Sequence, residues 1–253
     1  MKLSFMTFVC PEWDMEKAVR FAKDAGYDGI EIRVDSGHRH NVSSHSSAAD
    51  RKKVRKLFAD TGLAISSIAT SVNLACPDQK THRDNVEAAM ANLALAADLG
   101  APVVRIFAGG GIPRLTPDAA DQVASAFNEL GEHTKAMGAC PILECGHDII
   151  VGAAEAGEVF KRVSARNFGA LWNHSEMNDA TFAVFKNLIR HFHIHDEVRD
   201  PKNTNIAGLA RRMKGAGYKG YISLEIIENK NLPEAELREI ASRLQRQIRQ
   251  GEG

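Results

Sequence analysis

No sign of charge predominates in this chain: 32 Lys and Arg stand against 32 Asp and Glu over 253 residues, a formal net charge of +0. The basic footprint of a protein that lives on nucleic acid or on anionic membranes is therefore missing, and small molecules are the expected partners. No stretch approaches the roughly 18 apolar residues that a membrane span needs. The opening MKLSFMTFVCPEW sets one Lys before a short apolar run, but acidic and polar residues follow and no small-residue cleavage site appears, so a leader is not expected. Cysteine is scarce, at four residues. Cys10, Cys76, Cys140 and Cys145 form no CxxC, which points to reduced core thiols in a cytoplasmic protein. There is no low-complexity segment and no linker to divide the chain, so a single domain over 1–253 is expected. What is present is the balance of an ordinary globular protein, 44% hydrophobic and 25% charged.

Short β-branched or apolar runs alternate with longer segments of helical period. The strand-like runs are Lys2–Phe8, Gly29–Val34, Ala64–Ala69, Pro102–Phe107, Pro141–Cys145, Phe168–Asn173, Arg190–His195 and Gly220–Ile226. Helical segments are expected near Met15–Ala25, Ala48–Asp60, His82–Leu99, Pro117–Met137, Ala154–Val163, Asp179–Leu188, Asn205–Ala216 and Glu234–Gln250, several of them stopped by glycine, as at Gly26, Gly62, Gly100, Gly138 and Gly217. Eight βα units in a chain of this length predict an α/β fold of the (β/α)8 TIM-barrel class. A doubly wound open sheet is the runner-up, but it usually shows a glycine-rich first turn, and Phe8-Val9-Cys10-Pro11-Glu12 is not one.

Strand side chains alternate, so each run splits into a face for the helices and a face for the barrel interior. Ile30, Ile32 and Val34 leave Glu31 and Arg33 inward; Val104 and Ile106 oppose Arg105; Phe192 and Ile194 leave His191, His193 and His195 inside; Ile222, Leu224 and Ile226 leave Tyr221, Ser223 and Glu225. Glu144 and Asn173 fall near the carboxyl ends of the fifth and sixth strands, where barrel enzymes keep their active sites. So many buried polar groups are costly unless they pair, bind a metal or meet substrate. Taken singly, Glu144 or Glu225 reads as a salt bridge to Arg105 or Arg33, and His193 as a hydrogen-bonded core histidine. Together, Glu, Asn, His and Glu from four strand ends supply the oxygen and imidazole donors that a divalent cation needs.

Other chemistries find little support. Gly109-Gly110-Gly111 reads as a flexible loop before Pro113 more readily than as a phosphate cradle. No lysine lies on an inward strand face for a Schiff base, and no GxSxG elbow exists. Ser43-Ser44-His45-Ser46-Ser47 reads as loop and helix cap, and His38, His40 and His45 as solvated loop histidines.

Seven segments, AVRFAKDAGYDGIEIR, ADTGLAISSI, LALAADLGAPVVRIF, ILECGHD, FGALWNH, IRHFHIHDE and GYKGYISLEI, give the chain, over nearly its whole length, a likeness to a known family. It resembles the sugar phosphate isomerase/epimerase family, the xylose-isomerase-like TIM barrels that include tagatose and psicose epimerases, hydroxypyruvate isomerase, inosose dehydratase and, more remotely, endonuclease IV. The resemblance implies a divalent metal (Mn, Mg, Co or Zn) on Glu144, Asn173, His193 and Glu225. Asn173 stands where the family has aspartate, which removes a charge and weakens the site for hard cations; His174 or Glu176 beside it are alternative ligands. His195 takes the place of the lysine in the family's HxKD-like stretch, so that cation becomes titratable.

By the same resemblance, Glu144 and Glu225 inherit acid and base roles in proton abstraction beside a carbonyl through an enediolate, and Arg33, Arg105, His147 and His195 are candidates to hold substrate. The expected substrate is a small keto sugar, hydroxy-keto acid or polyol derivative, handled by a metal-dependent isomerase or epimerase. An inosose-type dehydratase using the same site and a non-catalytic sugar-binding barrel are the alternatives; a phosphodiesterase on abasic DNA needs more metal ligands than the chain offers. A homo-oligomer is compatible with all of these.

Overall fold

The runs of β-branched and apolar residues form strands because each has neighbours on both sides to complete its backbone hydrogen bonds, and the last strand closes on the first. In the computed structural model, which describes residues 1–109, 111–203, 205–228 and 231–253, the strands are β1 (Lys2–Met6), β2 (Gly29–Arg33), β3 (Ala64–Asn73), β4 (Val103–Phe107), β5 (Cys140–Cys145), β6 (Gly169–Trp172), β7 (Ile189–Ile194) and β8 (Tyr221–Leu224). They form one closed parallel barrel in chain order, with β1 paired to both β2 and β8. The helices are α1 (Met15–Asp24), α2 (Ala48–Thr61), α3 (Gln79–Leu99), α4 (Pro117–Thr134), α5 (Ala153–Phe160), α6 (Asp179–Phe185), α7 (Asn205–Gly215) and α8 (Glu234–Glu252). The expected (β/α)8 architecture is therefore present. Among the described residues no helix is long and apolar enough to cross a membrane.

Local chemistry sets the helix ends. Asp14, Ser47, Asp78, Thr116 and Asn178 each accept a backbone N–H from the first turn of the helix that follows. Gly62 and Gly100 end α2 and α3 with φ of 72° and 81°, a left-handed conformation that costs glycine nothing. α4 stops at Thr134, short of the expected Met137, because the chain turns there through Met137 N–H to the Thr134 carbonyl and Gly138 at φ 78°. The free thiols of Cys10, Cys76 and Cys145 are buried, and burial pushes Cys10 up to about 12.

The strand faces divide as the alternation predicts. Ile30, Ile32, Val104, Ile106, Phe192, Ile194, Ile222 and Leu224 are fully buried against the helices. Inside the barrel Glu31, His191, His193, Ser4, Ser67 and Ser223 are equally inaccessible. Glu31 organises this interior: its carboxylate accepts from His191 Nε2 at 2.9 Å and from His193 Nε2 at 3.1 Å. On the opposite edge of the ring, His193 Nδ1 is hydrogen-bonded to Glu144 at 3.3 Å and lies 2.9 Å from the Glu225 carboxylate. A carboxylate can only accept, so both ring nitrogens of His193 carry hydrogen and the ring is an imidazolium. Burial by itself favours the uncharged ring, but Glu31 and Glu225 outweigh it and hold the His193 pKa well above its usual range. Burial likewise opposes ionised Glu31, and the two histidines overcome it, holding Glu31 well below the carboxylate range.

Two predictions follow from this packing. A Cβ at Gly131 in α4 would lie 2.7 Å from both the Ala165 Cβ and the Asn167 carbonyl oxygen; Gly131→Ala should cost about 1–3 kcal/mol in denaturant unfolding, and an unchanged midpoint would show that the two elements separate freely. Glu31→Gln leaves a buried imidazolium without its deepest partner and should cost about 3–5 kcal/mol. The depressed Glu31 pKa stabilises the fold above its usual 4.5 and is lost as pH falls through the folded value, whereas the raised His193 pKa stabilises below its usual 6.5 and is lost as pH rises through the folded value. The gap between wild type and Glu31→Gln should therefore be widest between those two values and shrink on either side. A gap that ignores pH would rule out the charged pair.

Candidate active site

The inner faces deliver their functional groups at the carboxyl ends of the strands. Arg33 is the last residue of β2, Arg105 lies in β4, Glu144 in β5 and His193 in β7, while Asn173, His195 and Glu225 stand one residue beyond β6, β7 and β8. Above the Glu31 pairing the barrel opens into a cavity of about 390 Å³. Arg33 and Arg105, Glu144 and Glu225, His147 and His195, and Asn173 all line it, and Phe8, Phe107 and Ile227 give it apolar walls. Every residue predicted to touch substrate is thus at one pocket. His193 lies beneath it, fully buried.

Glu144 and Glu225 converge on the same nitrogen, His193 Nδ1. Each of the three offers a ligand atom within 4.8 Å of the others. Arg105 is the part of the salt-bridge alternative that the structure contains: its Nε lies 3.1 Å from Glu144 Oε2 and its Nη2 4.0 Å from Glu225 Oε1. The contact with Glu144 is Coulombic, since neither Arg105 Nε nor Glu144 Oε2 has a hydrogen-bond partner among the described residues. Arg105 is anchored by donation from Nη1 to the Thr70 carbonyl at 2.8 Å and by the Phe107 ring 4.1 Å from its guanidinium carbon. Burial tends to raise the Glu144 pKa, but the Arg105 charge and donors from His147, at 3.2 Å, and His193 reverse this and keep it ionised far below the usual range. His147 rises in return because Glu144 accepts its hydrogen bond.

A divalent cation fits these donors. The unpartnered Glu144 Oε2 leaves a buried carboxylate lone pair, Glu225 and His193 stand within reach of it, and Glu31 would keep the Nε2 proton in place while Nδ1 acts as ligand, the usual arrangement of a carboxylate behind a metal-binding histidine. The expected fourth ligand, Asn173, faces the cavity but its Oδ1 is 2.7 Å from His195 Nε2. The His195 Nδ1 points at the Glu225 carbonyl at 3.0 Å and so carries the proton. As placed, the amide oxygen is turned to His195; only an amide flip, putting the NH2 against Nε2, would leave that oxygen for the cavity.

Of the alternative ligands on this segment, His174 lines the cavity but its Nε2 contacts the Gly146 carbonyl at 2.8 Å. Glu176 faces a separate cleft, where its carboxylate accepts from Asn205 at 2.5 Å. The loop histidines are less solvated than expected: His45 is exposed, but His38 is buried against the edge of Phe8, and desolvation lowers His40 to about 4. In the glycine loop, Gly109 N–H donates at 2.6 Å to Asp148, which uses the group a phosphate would need; Gly110 lies outside the described residues. Asp148 ends the segment ILECGHD, but nothing in that segment assigns it this contact; its own φ of 55° marks the tight turn that brings it there. The supporting roles of Glu31 and His191 were also not foreseen, although both stood on the predicted inner face.

Comparison with solved structures finds barrels of the same shape, several of them named as sugar epimerases. D-psicose 3-epimerase in the presence of D-fructose superposes with a TM-score of 0.82 at 15% identity, covering 100% of both chains. L-ribulose 3-epimerase gives 0.81 at 19%, over 99% of this chain and 94% of that one. The apo 3-keto-D-glucoside 4-epimerase YcjR of E. coli gives 0.78 at 15%, over 98% of each. At such identities the likeness is one of fold. No curated protein matches the chain significantly in sequence. The model of one family does match, across residues 19–247, and the chain belongs to that family, the xylose isomerase-like TIM barrels.

Proposed function

We propose that the protein is a divalent-metal-dependent isomerase or epimerase of a small sugar-like carbonyl compound. The observation that carries this reading is the pair of carboxylates, Glu144 and Glu225, that meet across His193 Nδ1 at the floor of the cavity. The solved structures of similar shape whose names are epimerases of psicose, ribulose and a keto-glucoside support the substrate class.

Glu144, Glu225 and His193 would hold the metal, with Asn173 as a fourth, neutral oxygen donor, and Mn, Mg, Co or Zn are the candidates. When bound, a divalent ion supplies positive charge that polarises a carbonyl and its neighbouring hydroxyl. The rest falls to the chain itself. A carboxylate beside the substrate α-carbon removes its proton and the electrons pass to the carbonyl oxygen as an enediolate; return of a proton to the other face inverts the centre, and return to the adjacent carbon isomerises. Glu225 has the weaker Arg105 contact, 4.0 Å against 3.1 Å for Glu144, and is the better placed base. Glu144, kept ionised by Arg105, receives or returns the proton on the other side. His147, donating toward Glu144, and His195, fixed between Asn173 and the Glu225 carbonyl, position substrate hydroxyls. Arg105 offsets the enediolate charge.

Elemental analysis after dialysis against Mn²⁺, Co²⁺ or Zn²⁺ should find one ion per chain, lost in Glu144→Ala and Glu225→Ala; no ion in the wild type would leave the salt-bridged cluster as the whole of the site. At saturating metal, incorporation of solvent deuterium at the α-carbon of a keto-sugar panel should fall about 10²–10⁴-fold in Glu225→Gln, the usual worth of a general base. Loss of water after exchange would mark a dehydratase, and binding without exchange a sugar-binding barrel. Asn173→Asp should tighten Mn²⁺ or Mg²⁺, which prefer carboxylate to amide, and unchanged affinity would remove Asn173 from the ligand set.

A further inference from the structure

Arg33 is a buried cation without a close ion pair; Glu225, Asp35 and Glu144 act on it only from a distance. Its side chain is 7% exposed, and among the described residues no carboxylate lies within 4.0 Å of it. Its Nη1 donates to the carbonyls of Val34 at 2.8 Å and Ala69 at 3.1 Å, its Nη2 donates to the Ser71 hydroxyl, and its Nε has no partner. Every acceptor it has is neutral. A charge taken out of water in this way is expensive unless something of opposite sign meets it.

The neighbour aggravates this. Arg33 pairs with Ala69 across β2 and β3, and Ala69 pairs with Arg105 across β3 and β4, so two guanidiniums occupy one row with a single methyl group between them. Desolvation, and then the charge of Arg105, lowers Arg33 to about 10. Arg105 has Glu144 and Glu225 to neutralise it. Arg33 shares the cavity wall with Phe8, whose ring lies 5.5 Å from its guanidinium carbon, and its unpartnered Nε is buried within that wall.

Resting on the isomerase or epimerase reading of this pocket, we propose that its substrate is a sugar acid, with a carboxylate that Arg33 receives. A carboxylate entering the cavity would meet a guanidinium that has only neutral acceptors, and charge-assisted N–H bonds to an ionised acceptor are about twice as strong as those to neutral ones. Glu144 and Glu225 already face Arg105 and would hold the divalent ion, so Arg33 is left in the cavity wall with no carboxylate paired to it. A neutral ketose leaves it so, and a carboxylate meets it. The proposal departs from the neutral sugars named for the similar structures.

The test uses pairs that differ only at one carbon: 2-keto-D-gluconate against D-fructose, and D-gluconate against D-glucitol. Calorimetric binding to Mn²⁺-loaded protein should favour the acid of each pair by about tenfold or more, the effect of one charge-assisted pair. In Arg33→Met, which keeps the packing of the stem, the preference should collapse to about twofold, and Arg33→Lys should restore part of it. The metal's own liking for carboxylates is common to all three proteins and cancels in the comparison. A preference that survives in Arg33→Met, an equal or tighter fit of the neutral partner, no acid binding at 10 mM (a limit of about 3 kcal/mol), or an Arg33-dependent preference for D-fructose 6-phosphate over both would overturn the proposal. Circular dichroism and melting of Arg33→Met establish that the variant is folded. Deuterium exchange into D-fructose and 2-keto-D-gluconate separates the two readings: exchange without acid preference leaves the enzyme reading and removes the sugar acid, whereas Arg33-dependent acid binding without exchange in either compound does the reverse.

Discussion

The imidazolium of His193 is the interaction on which the rest of the site depends. It touches Glu31 on one edge and Glu225 and Glu144 on the other, so one ring links the sealed interior of the barrel to its open end. Without it three buried carboxylates would lose the partner they share, leaving His191 to Glu31, and Arg105 with His147 and His195 to Glu144 and Glu225. The arrangement also accounts for the chemistry proposed for the pocket. A proton on Nδ1 and a metal ion compete for the same lone pair and for the same two glutamates, so the protein is held together in the absence of metal by a proton that metal binding would release. Glu31 is indifferent to the exchange, because it always sees the Nε2 hydrogen.

Two departures from the pattern of the family touch each other. Asn173 stands where the resemblance implies an aspartate and His195 where it implies a lysine, and their side chains meet at 2.7 Å. A negative charge is lost at one position and a permanently charged group at the other, and a hydrogen bond between an amide and an imidazole takes the place of an ion pair. In the proposed metal site an amide oxygen would pull less on a hard cation than a carboxylate, which would leave more of the electrostatic burden to Glu144 and Glu225.

The fold was legible in the sequence because most barrel strands are buried on both faces by different chemistry: Ile, Val, Leu and Phe toward the helices, and Glu, Arg, His and Ser toward the axis, with Val103, Ile142 and Leu171 as an apolar inner cluster. The alternation that separates Ile30 and Ile32 from Glu31 also assigns the inner face, so Glu144, Glu225, His193, Arg33 and Arg105 fall at one end from the sequence alone. What periodicity does not carry is distance across the axis. It put Glu31, His191 and His193 on inner faces but not in contact, since β2 and β7 are far apart in sequence and meet only by closure of the barrel. It gave no indication that Asp148 caps Gly109, because that contact is made by a turn with a left-handed residue. Nor could it show that Glu176, only three residues past Asn173, faces another cleft.

The central claim is that His193 holds its Nε2 proton against Glu31 and exchanges its Nδ1 proton for a metal ion. Nitrogen NMR of protein labelled with ¹⁵N in histidine observes both atoms directly. Without metal, His193 should show two protonated ring nitrogens near neutral pH; one equivalent of Zn²⁺ should convert Nδ1 to a metal-bound nitrogen and leave Nε2 protonated. A neutral His193 ring in the metal-free protein, or a spectrum that saturating Zn²⁺ leaves unchanged, would contradict it.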